Sequence, residues 1–245
     1  MANFLLEGER LDDLHRNNYK IIQNPKYFCF GMDAVLLSGF VKAGDCETVL
    51  DLCSGNGIIP VLLCAKTNAK FLFGIEIQKE LAEMAERTVK YNKLEEKIKI
   101  IEGDLKNLSQ FFKPSSIDVI TVNPPYMNDF GGIKNKLSKK AIARHEVLCK
   151  LEDIVLNSSK HLKPLGRFYM VHRPQRLTDI ICLLRKYKLE PKTIRFVQPF
   201  IGKEPNMVLI EAIRGAKPMV KVLDTLIVYN EDNTFTDEVY KIYYE

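Results

Sequence analysis

Apolar runs of two kinds alternate along most of this 245-residue chain, and this alternation limits the possible folds more than any other feature. Runs with helical spacing lie at 81–92, 151–162 and 177–187. Shorter, strand-like runs lie at 48–52, 71–76, 98–101, 117–122, 167–172, 193–198 and 207–213. The pattern predicts an α/β fold, with an open, mainly parallel sheet covered by helices on both faces. Ligands of such sheets bind at the carboxyl ends of the strands, so the residues after each strand are the first site candidates.

The first of these strand ends runs into a glycine turn. Asp51 lies in the strand, Gly55 and Gly57 follow, and an apolar helix begins directly afterwards. Glycines are needed where a chain turns sharply from strand to helix and a ligand approaches the backbone closely. The third glycine of a dinucleotide-binding turn is replaced by Pro60, which suits a first helical turn. The loop therefore predicts a ligand other than a pyrophosphate.

Acidic residues follow the next two strands. Glu76 ends the run 71–76, where its carboxylate could accept hydrogen bonds from two ribose hydroxyls. Asp104 follows the run 98–101, where it could accept one from an adenine amino group. An acid after a strand is also a common solvated cap, so each residue alone is a weak signal.

The fourth strand ends in Asn123-Pro124-Pro125-Tyr126. A residue before proline is pushed toward extended geometry, which fixes both Asn123 and Pro124. The segment presents a side-chain amide oxygen, a stiffly held carbonyl and an aromatic ring together. It is therefore predicted to bind a flat NH2 group, although the same four residues can also occur in an ordinary surface turn.

These parts, in this order, resemble the class I S-adenosylmethionine-dependent methyltransferases. The resemblance implies a Rossmann-like sheet of seven strands with the last one antiparallel. It also implies that Asp51, Gly55 and Gly57 form the cofactor loop, that Glu76 holds the ribose and that Asp104 lies at the adenine. Asn123, Pro124 and Tyr126 would be the catalytic motif of an amino-methylating enzyme, with Asn123 also beside the cofactor. S-adenosylmethionine is the cofactor implied.

The segment 20–30 predicts two short strands around a turn at Asn24-Pro25, followed by a helix over 31–40. Asp33, near the start of that helix, either caps it through the helix dipole or contacts the cofactor. In amino-methyltransferases the element before the glycine loop places aromatic residues near the cofactor, and here these would be Phe28 and Phe30.

Further segments are similar to the bacterial tRNA1(Val) adenine N6-methyltransferase family. They are 10–14, Ile22-Gln23, 30–37, Ala143-Arg144-His145-Glu146 and His172-Arg173-Pro174. This family implies N6-methylation of an adenine beside the anticodon of a tRNA.

Two alternative functions stay open. Enzymes that methylate a release-factor glutamine amide share the Asn-Pro-Pro-Tyr motif but usually carry a helical domain first, and here only about fifty residues precede the loop. A non-catalytic RNA-binding module is the other.

A basic stretch after the catalytic motif agrees with an RNA substrate. The net charge is +5, and the range 131–144 contains no acid. Its basic residues are Lys134, Lys136, Lys139, Lys140 and Arg144. Because they directly follow the motif, they are candidates for contacts with tRNA phosphates, with an ordinary solvated loop as the alternative.

Composition favours one globular domain over 1–245, since 46% of residues are hydrophobic and 27% charged. We expect an N-terminal hairpin and helix at 1–42, a catalytic core at 43–214 and a hairpin-like tail at 215–245. The six cysteines form no C-x-x-C pair, which indicates free thiols and no metal site. No signal peptide or membrane-spanning run is recognised, so the expected location is the cytoplasm.

Overall fold

The computed structural model describes residues 4–27, 29–125 and 150–245. The strands of its main sheet are β3 (Thr48–Leu52), β4 (Phe71–Glu76), β5 (Ile98–Glu102), β6 (Ile117–Val122), β7 (Leu162–His172), β8 (Leu189–Gln198), β9 (Met207–Arg214), β10 (Lys221–Val222) and β11 (Leu226–Ile227). The helices are α1 (Met32–Phe40), α2 (Ile58–Lys66), α3 (Lys79–Tyr91), α4 (Leu151–His161), α5 (Leu177–Lys186) and α6 (Asp237–Tyr244), with 3₁₀ helices at Leu105–Gln110 and Pro174–Arg176. A separate hairpin consists of β1 (Arg10–Asp13) and β2 (Lys20–Gln23).

The main sheet has the order β5-β4-β3-β6-β7-β9-β8, and the short strands β10 and β11 both pair with the outer edge of β8. Strands β5, β4, β3, β6 and β7 pair in parallel, whereas β9 is antiparallel to both β7 and β8. The predicted mainly parallel α/β sheet is therefore confirmed, and β9, the last of its seven long strands, is antiparallel as expected. The prediction of seven strands misses the two short edge strands.

Helices cover both faces of this sheet, as expected. One apolar layer contains buried residues of α1, α2, α3 and α6, and the other contains those of α4, α5 and the first 3₁₀ helix. Val49 belongs to the first layer and its neighbour Leu50 to the second, because successive strand side chains point to opposite faces. Each central strand is thus apolar on both sides, which explains its continuous apolar run.

The N-terminal hairpin differs from its prediction. A turn does follow Asn24, whose carbonyl accepts a hydrogen bond from the Tyr27 amide at 3.0 Å. However, among the described residues β2 pairs antiparallel with β1. The Phe30 amide donates to Oε1 of Gln23 at 2.9 Å, so a side chain accepts the hydrogen bond that a second strand would need. Phe28 lies outside the described residues.

Strands β7 and β8 begin earlier than their apolar runs. The register between β6 and β7 shifts between Ile117 and Val119, opposite a stretch that contains Pro164, and the register between β8 and β9 shifts after Pro191. Proline is tolerated in strands at such irregularities but argues against a regular strand in the sequence. The first residues of β7 and β8 were therefore not predicted as strand.

The tail is more than a hairpin. Tyr229 and Phe235 form an antiparallel bridge around the turn, as the hairpin-like reading expects, but α6 follows and was not predicted. Thr236 caps α6 through its side chain, and two acids occupy the first turn. Among the residues described, no helix has the length and apolar character needed to cross a membrane.

Candidate active site

Four parallel strand ends bring the predicted polar residues to one edge of the sheet. Leu52 of β3 pairs with Ile75 of β4 and with Val122 of β6. Glu76, which ends β4, pairs with Glu102 at the end of β5. The residues that follow these strands therefore lie side by side, although they are far apart in the sequence.

Left-handed backbone makes the turn after β3. Cys53 and Gly55 each have a φ of 56°, and Gly57, which caps α2, has a φ of 82°. A Cβ on Gly57 would lie 3.1 Å from the Cβ of Ala85 in α3, closer than ordinary contact. Both the conformation and the packing require glycine at this position.

Glu76 is anchored to the glycine turn. The side chain is buried, and Oε2 accepts a hydrogen bond from the Gly55 amide at 2.8 Å, while Oε1 accepts one from the Gln78 amide at 2.9 Å. A carboxylate has about four lone-pair sites, so acceptor capacity remains for ligand hydroxyls. The two backbone donors hold the group in place before a ligand arrives.

Asp51 lies beneath the turn and is almost completely buried. Burial raises its pKa to about 7, although the Thr121 hydroxyl, which donates to Oδ1 at 2.6 Å, opposes the shift. Its other oxygen, Oδ2, and the Oδ1 of buried Asn56 have no hydrogen-bond partner among the described residues. Orphaned buried acceptors are uncommon and fit a loop built to take a polar ligand.

Asp104 follows β5 and caps the first 3₁₀ helix. Oδ1 accepts from the Lys106 amide at 2.9 Å, and the Lys106 ammonium lies 3.3 Å from Oδ2. An adenine amino group at this carboxylate would therefore share it with an existing cation.

Asn123 and Pro124 follow β6 directly, and Asn123 is half-buried while Pro124 is buried. Because Val122 pairs with Leu52, Asn123 comes next to the start of the glycine turn. Tyr126 lies outside the described residues, as do the predicted phosphate contacts Lys134, Lys136, Lys139, Lys140 and Arg144.

Phe30 and Asp33 lie at the entry to α1. Phe30 is half-buried and packs against the apolar layer that α1, α2 and α3 share. Asp33 lies in the first turn, and its Oδ1 accepts from the Ala34 amide at 2.9 Å, while Gly31 occupies the N-cap position. An acid in this position is stabilised by the helix dipole, as the capping interpretation expects.

His172 also reaches this edge, without a role predicted from the sequence. It ends β7, which pairs in parallel with β6, and its Nδ1 accepts from the Arg173 amide at 2.8 Å. Burial and the charges of Arg176 and Arg173 lower its pKa to about 4, so the ring is neutral near pH 7. The sequence feature that could have indicated His172 as a site residue is its position at the end of a predicted strand.

Within 4–27, 29–125 and 150–245, no group of three or more His, Cys, Asp or Glu could hold a metal ion.

The chain is similar in sequence to a known protein family and to several named proteins. The family model "Methyltransferase small domain" matches residues 19–187. A relative from Parabacteroides distasonis is 28% identical over 193 residues, or 78% of each chain, and one from Aeromonas hydrophila is 25% identical over 208 residues, or 84% of this chain and 85% of the relative. Both are named tRNA1(Val) (adenine(37)-N6)-methyltransferase.

Among solved structures, a predicted O-methyltransferase from Agrobacterium tumefaciens superposes with a TM-score of 0.70 at 21% identity, over 86% of this chain and 94% of the other. This likeness shows the shared fold, and the family match extends over most of the sheet and all four strand ends described above. S-adenosylmethionine is the cofactor. The chain belongs to the methyltransferase small domain family.

Proposed function

We propose that this methyltransferase transfers the methyl group of S-adenosylmethionine to the N6 amino group of an adenine in tRNA, beside the anticodon. The observation that carries the proposal is the position of Asn123 and Pro124, directly after β6 and next to the glycine turn that follows β3. The names of the relatives from Parabacteroides distasonis and Aeromonas hydrophila support the choice of tRNA and of adenine N6.

The cofactor would be held along the ends of β3, β4 and β5. Gly55 and Gly57 let it approach the backbone, and Glu76 would accept hydrogen bonds from the ribose hydroxyls. Asp104 would meet the adenine ring of the cofactor. Asp51 would form part of the cofactor loop with these two glycines, and Phe30 and Asp33 would border the site at the entry to α1. When bound, the cofactor supplies an electrophilic methyl group on a sulfonium.

Asn123 and Pro124 would activate the acceptor nitrogen. The N6 nitrogen of adenine is a poor nucleophile because its lone pair is delocalised into the ring. Hydrogen bonds from its two hydrogens to the Asn123 side-chain oxygen and the Pro124 carbonyl would localise that pair. The same two acceptors would stabilise the positive charge that develops on nitrogen. As the new carbon–nitrogen bond forms, the methyl–sulfur bond would break and S-adenosylhomocysteine would leave, and the methylated nitrogen would then lose one proton to water. Holding the nitrogen in line with the methyl group supplies further acceleration.

The base must leave its neighbours before it can enter this pocket. Tyr126 is proposed to stack on the extruded adenine, as aromatic rings do in other base-flipping enzymes. Lys134, Lys136, Lys139, Lys140 and Arg144 are proposed to bind the surrounding phosphates. The place of action would be the cytoplasm, where the tRNA substrate is found.

Deleting the gene and digesting total tRNA to nucleosides tests the proposal. Mass analysis should show a loss of N6-methyladenosine, and a parallel digest to oligonucleotides should map the loss to one adenine beside an anticodon. The proposal fails if tRNA nucleosides stay unchanged while a release-factor glutamine loses its methyl group, because the protein alternative would then hold.

A further inference from the structure

A buried side chain joins the glycine turn to the N-terminal hairpin. Asn56 lies between Gly55 and Gly57 and is fully buried. Its Nδ2 donates to the carbonyl of Ile22 in β2 at 3.1 Å. A hydrogen bond in such an enclosed place is not exchanged with water, so it restrains both segments together.

Ile22 is fixed on its other side by α3. Its amide donates to the buried Thr88 hydroxyl at 3.2 Å, and its side chain is buried with Leu81 and Met84. Both backbone polar groups of Ile22 are therefore held by side chains of the cofactor fold, one from the glycine turn and one from α3.

The contacts continue in both directions from this bond. Toward the ligand, the Gly55 amide donates to Glu76 at 2.8 Å. Toward the N-terminus, the next residue after Ile22 is buried Gln23, which accepts from the Phe30 amide at 2.9 Å and donates to Asp12 of β1. Three hydrogen bonds, joined through the peptide links Gly55–Asn56 and Ile22–Gln23, thus connect the proposed ribose acceptor to the entry of α1.

We propose that Asn56 is a positioning residue that couples cofactor binding to the order of the N-terminal hairpin and Phe30. Its amide group is directed at Ile22, so it acts through the backbone on either side of it. A ligand that orders the turn at Gly55 and Gly57 also fixes Asn56, and through it β2. Coupling of this kind is reciprocal, so breaking the Asn56 bond should remove together the effect of the ligand on the hairpin and the effect of the hairpin on ligand affinity.

Asn92 provides a matched control. Its Oδ1 accepts from the Lys20 amide at 2.8 Å and its Nδ2 donates to the Lys20 carbonyl at 2.7 Å. It therefore also fastens β2, but from the end of α3 and not from the glycine turn. Removing it should loosen the hairpin without breaking the connection that leads to Glu76.

Hydrogen exchange and calorimetry with S-adenosylhomocysteine test the coupling. In the wild type, the ligand should slow exchange at the Ile22 and Phe30 amides. Asn56→Ala should lose this ligand-induced protection and bind S-adenosylhomocysteine about 3- to 10-fold more weakly, the range for one buried hydrogen bond. Asn92→Ala should exchange faster at β2 with and without ligand, yet keep both the protection difference and the affinity.

Asn56→Ser retains a donor and should keep part of the protection, and it replaces the alanine variant if that variant does not fold. The coupling is refuted if S-adenosylhomocysteine gives the wild type no protection at Ile22 and Phe30. It is equally refuted if Asn56→Ala keeps both the protection and the affinity. Neither readout involves tRNA, so this inference and the proposed function succeed or fail separately.

Discussion

Replacing Glu76 by alanine should weaken S-adenosylmethionine binding, because the proposed hydrogen bonds from the ribose hydroxyls to the carboxylate would be lost. A hydrogen bond to a charged group contributes about 1.5–3 kcal/mol, so losing one should raise the dissociation constant by roughly 10- to 150-fold. The variant also releases the Gly55 and Gln78 amides, which now donate to the carboxylate at 2.8 and 2.9 Å. Calorimetry with S-adenosylmethionine and S-adenosylhomocysteine measures the effect.

Charge alone is a competing explanation, because the sulfonium cofactor is a cation attracted by any nearby carboxylate. Glu80 lies in the first turn of α3, is exposed and carries the same charge. Glu80→Ala should change the affinity by less than about threefold, since exposed charges are screened. Glu76→Gln should fall between the wild type and Glu76→Ala, because its amide oxygen still accepts. Equal affinities for Glu76→Ala and the wild type would refute the ribose role. If Glu76→Ala and Glu80→Ala lose the same affinity, the effect of Glu76 is general electrostatic attraction and not a hydrogen bond to the ribose.

Other variants separate the remaining roles. Asn123→Ala should lower the single-turnover rate by about 10²–10³ with nearly unchanged S-adenosylhomocysteine affinity, and a wild-type rate would remove Asn123 from the chemistry. Burial raises the pKa of Asp51 to about 7, so between about pH 4 and 7 the folded state holds a proton that the unfolded state has released. This group therefore makes the free energy of unfolding fall as the pH rises from about 4 to 7. Asp51→Asn should flatten that fall in urea unfolding followed across this range, and an unchanged pH profile would contradict the shift. Replacing Lys136, Lys139 and Lys140 together by alanine should flatten the salt dependence of tRNA binding. Each phosphate neutralised contributes about −0.7 to −0.9 to the slope of log binding constant against log salt concentration. An unchanged slope would show that these lysines are only solvated surface.

Short-range patterns were enough to predict the sheet and the gathering of polar residues at one of its edges. Glu76 and Asp104 each follow a separate apolar run, and parallel strands necessarily end at one edge, so sequence alone placed them together. That β6 neighbours β3, which brings Asn123 beside the glycine turn, is known from the structure.

Long-range and irregular features escaped this reasoning. The bond between Asn56 and Ile22 joins residues 34 positions apart, and no local pattern indicates it. Strand β7 begins immediately after α4, so Leu162 continued the helical spacing and was assigned to the helix. The hairpin was predicted around the turn after Asn24, whereas β2 pairs with β1, a strand that no local pattern over 10–13 had indicated.

Transfer of a labelled methyl group in a purified system tests the central claim most directly. The protein is incubated with unmodified tRNA and S-adenosylmethionine labelled in its methyl group, and the tRNA is digested and separated by mass spectrometry. The account predicts label in N6-methyladenosine beside the anticodon, and label accumulating about 10²–10³ times more slowly with Asn123→Ala. Label in another nucleoside, or only in the glutamine of an added release factor, would contradict it.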